Sequence, residues 1–157
     1  MKDVSNMSVH YSSASNEWNT PNALFDHLDN EFNFTLDPCS NGTNNKCSKY
    51  FTIHDDGLVQ DWSQDSVFMN PPYGRAIGKW IEKAYLESLK GATVVCLIPS
   101  RTDTRYWHDY CMKANEIRLI KGRVKFSGKD PAPFPSAIVV FGTGESLKIT
   151  TMNALND

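Results

Sequence analysis

Long apolar runs are missing from this chain of 157 residues. The longest, such as Thr93–Pro99, cover only a few positions. A membrane-spanning helix needs about 20, so no membrane partner is expected. The first residues, MKDVSNMSVHYSS, lack the apolar stretch of a signal peptide, so export is not expected either. Close-spaced cysteine pairs are also lacking. Seven residues separate Cys39 from Cys47, with His54 beyond, while Cys96 falls in a strand pattern and Cys111 on a helix. Structural zinc favours two tight ligand pairs, and the four histidines form no such pair, so no metal is expected. The thiols are expected to stay reduced. Internal repeats and low-complexity segments are absent, and the length favours one domain.

Strong net charge is absent too. The formal balance is −2, which excludes a histone-like polycation. The charge is unevenly spread, however. Residues 1–70 carry three basic and ten acidic side chains, and residues 71–157 carry thirteen and eight. Lys113, Arg118, Lys121, Arg123, Lys125 and Lys129 cluster against the single acid Glu116. A polyanion could dock on that segment, or it could be an ordinary solvated face. With 40% apolar and 22% charged residues, the chain is expected to fold around a real core.

Residues 1–16 are polar and read as a flexible arm. Thr20 is placed to cap a helix that opens at Pro21, where a missing N–H costs nothing. Leu24, Phe25, Leu28 and Phe32 continue at helical spacing. Phe34–Asp37 and Val67–Asn70 read as strands, with a short one at Tyr50–Ile53. Ile77, Trp80, Ile81, Ala84 and Tyr85 mark a helix that Gly91 ends. Thr93–Ile98 is a β-branched run without alternation, as in a strand buried on both faces. Trp107, Tyr110, Cys111 and Ala114 suggest a further helix, and Glu116–Lys121 and Ser136–Phe141 further strands. The pattern fades after Gly142. The domain is therefore expected over 17–145, with a tail at 146–157. Helices alternating with unbroken strands argue for an α/β sheet covered on both faces. Ligands of such sheets sit beyond the carboxyl ends of the strands, which puts Asp37 and Asn70 on one rim.

Asn70-Pro71-Pro72-Tyr73 carries the most chemistry. Two prolines end the strand ladder and stiffen the backbone. The Asn70 side chain and the Pro71 carbonyl offer two neutral acceptors, and Tyr73 offers a flat face. An exocyclic amine such as adenine N6 is a poor nucleophile because its lone pair enters the ring. Two acceptors on its N–H groups would aim that lone pair at an electrophile, with positioning supplying much of the rate.

Asn-Pro-Pro-Tyr resembles the catalytic motif of amino-group methyltransferases that use S-adenosylmethionine. Other stretches extend the likeness. Leu36-Asp37-Pro38-Cys39-Ser40 resembles the opening of the cofactor pocket, although only Gly42 remains of the family's glycines. Gln60-Asp61-Trp62 resembles the segment whose acid meets the cofactor adenine. Trp18-Asn19-Thr20-Pro21 resembles the helix entrance near the methionine carboxylate, where a helix N-terminus suits an anion. Gly122–Phe126 and Ala132–Ser136 resemble a late hairpin that packs a flipped base, with Phe126 or Phe134 as platform. Together with Asp56-Gly57-Leu58, these stretches make the chain similar to small phage-type DNA N6-adenine methyltransferases over about residues 17–141.

That resemblance implies a reduced Rossmann-like methyltransferase sheet, mostly parallel with an antiparallel late hairpin. It implies S-adenosylmethionine as cofactor, held by Trp18, Thr20, Pro21, Asp37, Cys39, Asp61, Trp62 and Asn70. Catalysis would fall to Asn70, Pro71, Pro72 and Tyr73. Double-stranded DNA would be the partner, gripped by Tyr73, Arg75, Arg101, Arg105, Arg123, Lys125, Phe126 and Phe134, with the target base flipped out. A bacterial host cytoplasm is the implied location. No segment is long enough to be a recognition domain, so loops or a second subunit in a homodimer would have to read the bases. Two other readings stay open: methylation of an amide nitrogen in protein or RNA, and a catalytically inactive Rossmann-like DNA-binding module.

Overall fold

Successive side chains of a strand point to opposite faces, which divides them between the two sides of one sheet. In the computed structural model, which describes residues 19–128 and 130–157, seven strands form that sheet. They are β1 (Leu36–Asp37), β2 (Lys49–Tyr50), β3 (Ser66–Met69), β4 (Thr93–Pro99), β5 (Glu116–Lys121), β6 (Ser136–Phe141) and β7 (Lys148–Asn153). Their order is β2-β1-β3-β4-β6-β5-β7. Only β6 runs against its neighbours, pairing antiparallel with both β4 and β5. The sheet is thus mostly parallel with one late antiparallel portion, as expected.

Helix α1 (Asn22–Phe32) covers one face and α2 (Ile77–Leu89) the other, where the short α3 (Arg105–Asp109) joins it. On β3 and β4, Phe68, Val95 and Leu97 pack with Leu24, Phe25 and Leu28 of α1. Val67, Met69, Val94, Cys96 and Ile98 pack with Trp80, Ile81 and Ala84 of α2. All six residues of β6 are buried, since it lies between two strands and under both layers. Each Leu or Val removed from water here is worth roughly 1.5–3 kcal/mol.

Strands β1 and β2 are shorter than expected, and α3 ends at Asp109, ahead of Tyr110, Cys111 and Ala114; three further features depart more strongly. The helix entrance lies one residue later, with Pro21 as N-cap and no capping bond from a side chain at that position. The cap comes instead from the far end of the chain. Both carboxylate oxygens of Asp157 accept backbone N–H groups, from Asn22 at 2.9 Å and from Ala23 at 2.8 Å. The segment expected as a tail also supplies β7, which pairs in parallel with β5 over six residues. Its burial alternates only weakly because it is an edge strand with one neighbour. Among the described residues the basic cluster does not form one face; Lys129 lies outside them. Arg118 points to the α1 side, bridging Glu31 and Glu116, while Lys113 lies over the Tyr85 ring of α2. Arg118 is therefore committed within the fold.

Asp157 gives the first testable outcome. The N–H groups of Ala23 and Asn22 hold its carboxyl below the usual carboxylate range. A lowered folded-state pKa contributes stability above the ordinary value and loses it as pH falls through the folded value. Asp157→Ala is expected to lower Tm at neutral pH, and the gap to wild type is expected to close on acidification. Melting curves across pH check both.

Candidate active site at the carboxyl rim of β1 and β3

Strand β3 ends at Met69, and Asn70 follows at the rim with Pro71 and Pro72, all three buried. The chain turns at Gly74, whose φ of +139° is open to glycine and strained for other residues. Helix α2 then starts at Ile77. Asn70 is 8% exposed, and its amide is held from two directions. Its Nδ2 donates to Thr20 Oγ1 at 3.1 Å, and its Oδ1 accepts from the Tyr73 hydroxyl at 2.7 Å. The same Tyr73 oxygen lies 3.1 Å from the Leu97 carbonyl oxygen. Burial pushes the Tyr73 phenol well above its ordinary pKa, so it stays protonated and can donate.

Asp37 sits beside this group at the end of β1. Its Oδ1 accepts from the Cys39 N–H at 3.1 Å and its Oδ2 from the Lys46 N–H at 2.9 Å. One carboxylate thus ties both ends of the 39–46 loop. Burial raises the Asp37 pKa against the pull of the Lys46 and Cys39 donors. Thr20, Asp37, Cys39, Phe68 and Asn70 line a small polar pit that also touches Asn44 and Lys46. A cleft of about 600 Å³ opens beside it, lined by Thr20, Pro21, Asn22, Phe25, Asn44, Lys46, Ser127 and Asp157 among others. The Lys46 ammonium is half-buried there, donating to Asn22 Oδ1 at 2.9 Å and lying over the Phe25 ring. Burial lowers its pKa, and the carboxylates of Asp157, Asp37 and Asp26 push back.

The two candidate base platforms come together with the motif tyrosine. Tyr73 lies 5.6 Å from Phe134 and 6.0 Å from Phe126, edge to face, and the two phenylalanines are 6.2 Å apart. The Arg101 guanidinium lies over Phe134 at 5.9 Å. Tyr73 does not present an open face, since its ring is packed among these two and its hydroxyl points inward. Arg75 and Arg105 are exposed and share a groove of about 420 Å³ with Lys79 and Tyr106. Arg123 and Lys125 are exposed. Arg123 Nη1 donates to the Ala132 carbonyl and so braces the 123–132 segment.

Asp61 and Trp62 are not brought to this rim. They precede β3 and lie at its amino end, where the Trp62 N–H donates to Glu87 Oε1 near the end of α2. Asp61 is drawn below its ordinary pKa by Ser63 and by the nearby Lys90. Four residues of strand, on the order of 13 Å, separate them from Asn70. Trp62 is fully buried, stacks on Trp80 and donates its indole N–H to the Gly57 carbonyl. It is a scaffold residue supporting the 56–58 turn. That turn, Asp56-Gly57-Leu58, itself belongs to the rim. A Cβ on Gly57 would stand 2.6 Å from the Pro38 carbonyl oxygen, so only glycine lets Asp56–Leu58 lie against the end of β1. The sequence reading missed Lys46, because its place in the cleft depends on the fold of the 39–46 loop. Trp18 lies outside the described residues. Among the described residues no cluster of three or more His, Cys, Asp or Glu is placed to hold a metal. No helix among them is long and apolar enough to cross a membrane.

The mostly parallel sheet, and an Asn-Pro-Pro-Tyr turn at the rim beside a polar cleft, define a reduced Rossmann-like fold of the methyltransferase class. A family profile described as DNA N-6-adenine-methyltransferase (Dam) matches residues 8–143. The chain belongs to that family. It is 32% identical over 113 residues to the DNA N-6-adenine-methyltransferase of Haemophilus phage HP1, covering 69% of this chain and 65% of that protein. It thus spans less than two thirds of the phage protein's length. It is 38% identical over 64 residues to the Escherichia coli K12 protein YfdM, named as a methyltransferase, covering 36% of this chain and 70% of that one. A crystal structure titled as a predicted O-methyltransferase from Agrobacterium tumefaciens shares 24% identity with it. The TM-score there is 0.36, with 58% of this chain and 41% of that one covered. The fold assignment rests on the sheet order and not on that likeness.

The Asp37 staple is testable. Asp37→Ala strands the buried Cys39 N–H and leaves the part-buried Lys46 N–H without its partner, which should cost about 2 kcal/mol. Hydrogen exchange at the Cys39 and Lys46 amides should accelerate more than exchange in β4. Unchanged protection at those two amides would contradict the staple.

Proposed function

We propose that this chain transfers a methyl group from S-adenosylmethionine to the N6 amine of adenine in double-stranded DNA. The observation that carries this reading is the Asn70 amide, buried at the carboxyl rim of the sheet and anchored beside a polar cleft of cofactor size. Family membership supports adenine in DNA as the substrate.

The residues present fit the cofactor. A cleft of about 600 Å³ is within the range of small-molecule sites. The Lys46 ammonium in the cleft suits a carboxylate, while the first N–H groups of α1 are already taken by Asp157. Pro21, Asp37, Cys39 and Lys46 would hold the cofactor, with Asn70 at its reactive end. It supplies an electrophilic methyl group on a sulfonium.

The chain's own part is positioning. Asn70 Oδ1 and the Pro71 carbonyl accept the two N–H groups of the substrate amine and turn its lone pair toward the methyl group. Neither acceptor needs to carry charge, which suits an amide in this position. Pro72 keeps the turn stiff. Reaching N6 requires the adenine to leave the duplex. The Tyr73, Phe126 and Phe134 rings pack on one another and so brace the rim where the adenine arrives, without offering it a free face, and Arg101 beside Phe134 together with Arg75 and Arg105 meets backbone phosphates. Arg123 and Lys125 add positive charge next to those rings.

The test is transfer of labelled methyl from S-adenosylmethionine to unmethylated duplex DNA, with the product nucleosides resolved. Label is expected in N6-methyladenine. Asn70→Ala is expected to lose on the order of 100-fold or more in rate while retaining cofactor binding. Label confined to protein glutamine or to RNA would overturn the substrate, and full activity in Asn70→Ala would overturn the role of the amide.

A further inference from the structure

Thr20 and Asn70 are 50 positions apart in sequence, and both side chains are more than nine-tenths buried. Thr20 is the residue expected from sequence to cap α1. The structure releases its hydroxyl from that task, because Asp157 supplies the cap. The hydroxyl oxygen accepts from Asn70 Nδ2 instead.

The two ends of an amide are chemically opposite: the oxygen accepts and the nitrogen donates. A substrate amine that must donate needs the oxygen. An amide turned the other way would meet it with N–H against N–H. Oδ1 faces Tyr73, whose single hydroxyl hydrogen has two acceptors within reach, Asn70 Oδ1 at 2.7 Å and the Leu97 carbonyl oxygen at 3.1 Å. When an amine N–H engages Oδ1, the Tyr73 hydrogen can turn to Leu97, and no buried donor is stranded. The bond to Thr20 is common to both arrangements.

We propose that Thr20 is a positioning residue for methyl transfer. Its hydroxyl holds the Asn70 amide by the nitrogen, so that Oδ1 stays turned to the place where the substrate amine arrives. This rests on the methyl-transfer reading above. It gives the Thr20 side chain a task toward Asn70 in place of the cofactor contact implied by resemblance.

Thr20→Val keeps the shape of the side chain and removes the hydroxyl, and Thr20→Ser keeps the hydroxyl. At saturating S-adenosylmethionine and duplex DNA, Thr20→Val is expected to lower kcat on the order of tenfold, with the Kd for S-adenosylhomocysteine within about threefold of wild type. Thr20→Ser is expected to restore most of kcat. In spectra with ¹⁵N-labelled asparagine and no ligand, the Asn70 side-chain NH₂ signals should shift in Thr20→Val and return in Thr20→Ser. An unchanged kcat in Thr20→Val would overturn the proposal. So would intact kcat with a strongly raised Kd, which would make the hydroxyl a cofactor contact. A wild-type chain that methylates no DNA would overturn the methyl-transfer reading, and the asparagine signals would then still report whether Thr20 holds the amide.

Discussion

One side-chain amide joins the entrance of α1, the end of β3 and the end of β4. Asn70 bonds Thr20 on one side and Tyr73 on the other, and Tyr73 also reaches the Leu97 carbonyl. The constraint works because each partner belongs to a separately packed element. Leu24 and Leu28 fix α1 against one face of the sheet, and Phe68 and Leu97 fix β3 and β4 beneath it. A short polar side chain can reach across the rim only when those elements sit within hydrogen-bond distance. Core packing thereby sets the geometry of the candidate site, and any shift of α1 on the sheet would be felt first at Asn70.

The rim is braced from several sides. Asp37 ties the 39–46 loop, and that loop carries Lys46 into the cleft. Trp62 lifts the 56–58 turn against the end of β1 from below. Asp157 returns to cap α1, and β7 brings the chain back to that side of the molecule. Strand β7 and Asp157 thus complete the entrance to α1. The last twelve residues are part of the fold that holds the cleft.

Much of this was legible in the sequence. The bounds of β5 and β6 follow from runs of apolar and β-branched residues that no turn residue interrupts. The rim position of Asn70 and Asp37 follows from strand ends in an α/β pattern. Other features depend on distant partners. Thr20 beside Pro21 reads locally as a cap, and only the position of Asn70, 50 residues on, shows where its hydroxyl goes. Asp157 lies 135 residues from Asn22, and nothing near it hints at a helix. KITTMN in β7 lacks apolar alternation because an edge strand with exposed flanks buries little. Gln60-Asp61-Trp62 fits a cofactor motif by order in the chain, yet its aromatic residue is large and apolar enough to serve the core, and the fold uses it there.

The central claim is that the cofactor lies against the rim between β1 and β3, with Asn70 at its reactive end. A crystal structure of the chain with S-adenosylhomocysteine tests it most directly. The ligand is expected in the cleft bordered by Pro21, Lys46, Asp37 and Asn70, with its sulfur on the Asn70 side. Ligand bound at the amino end of β3 beside Asp61, with the rim cleft empty, would contradict it.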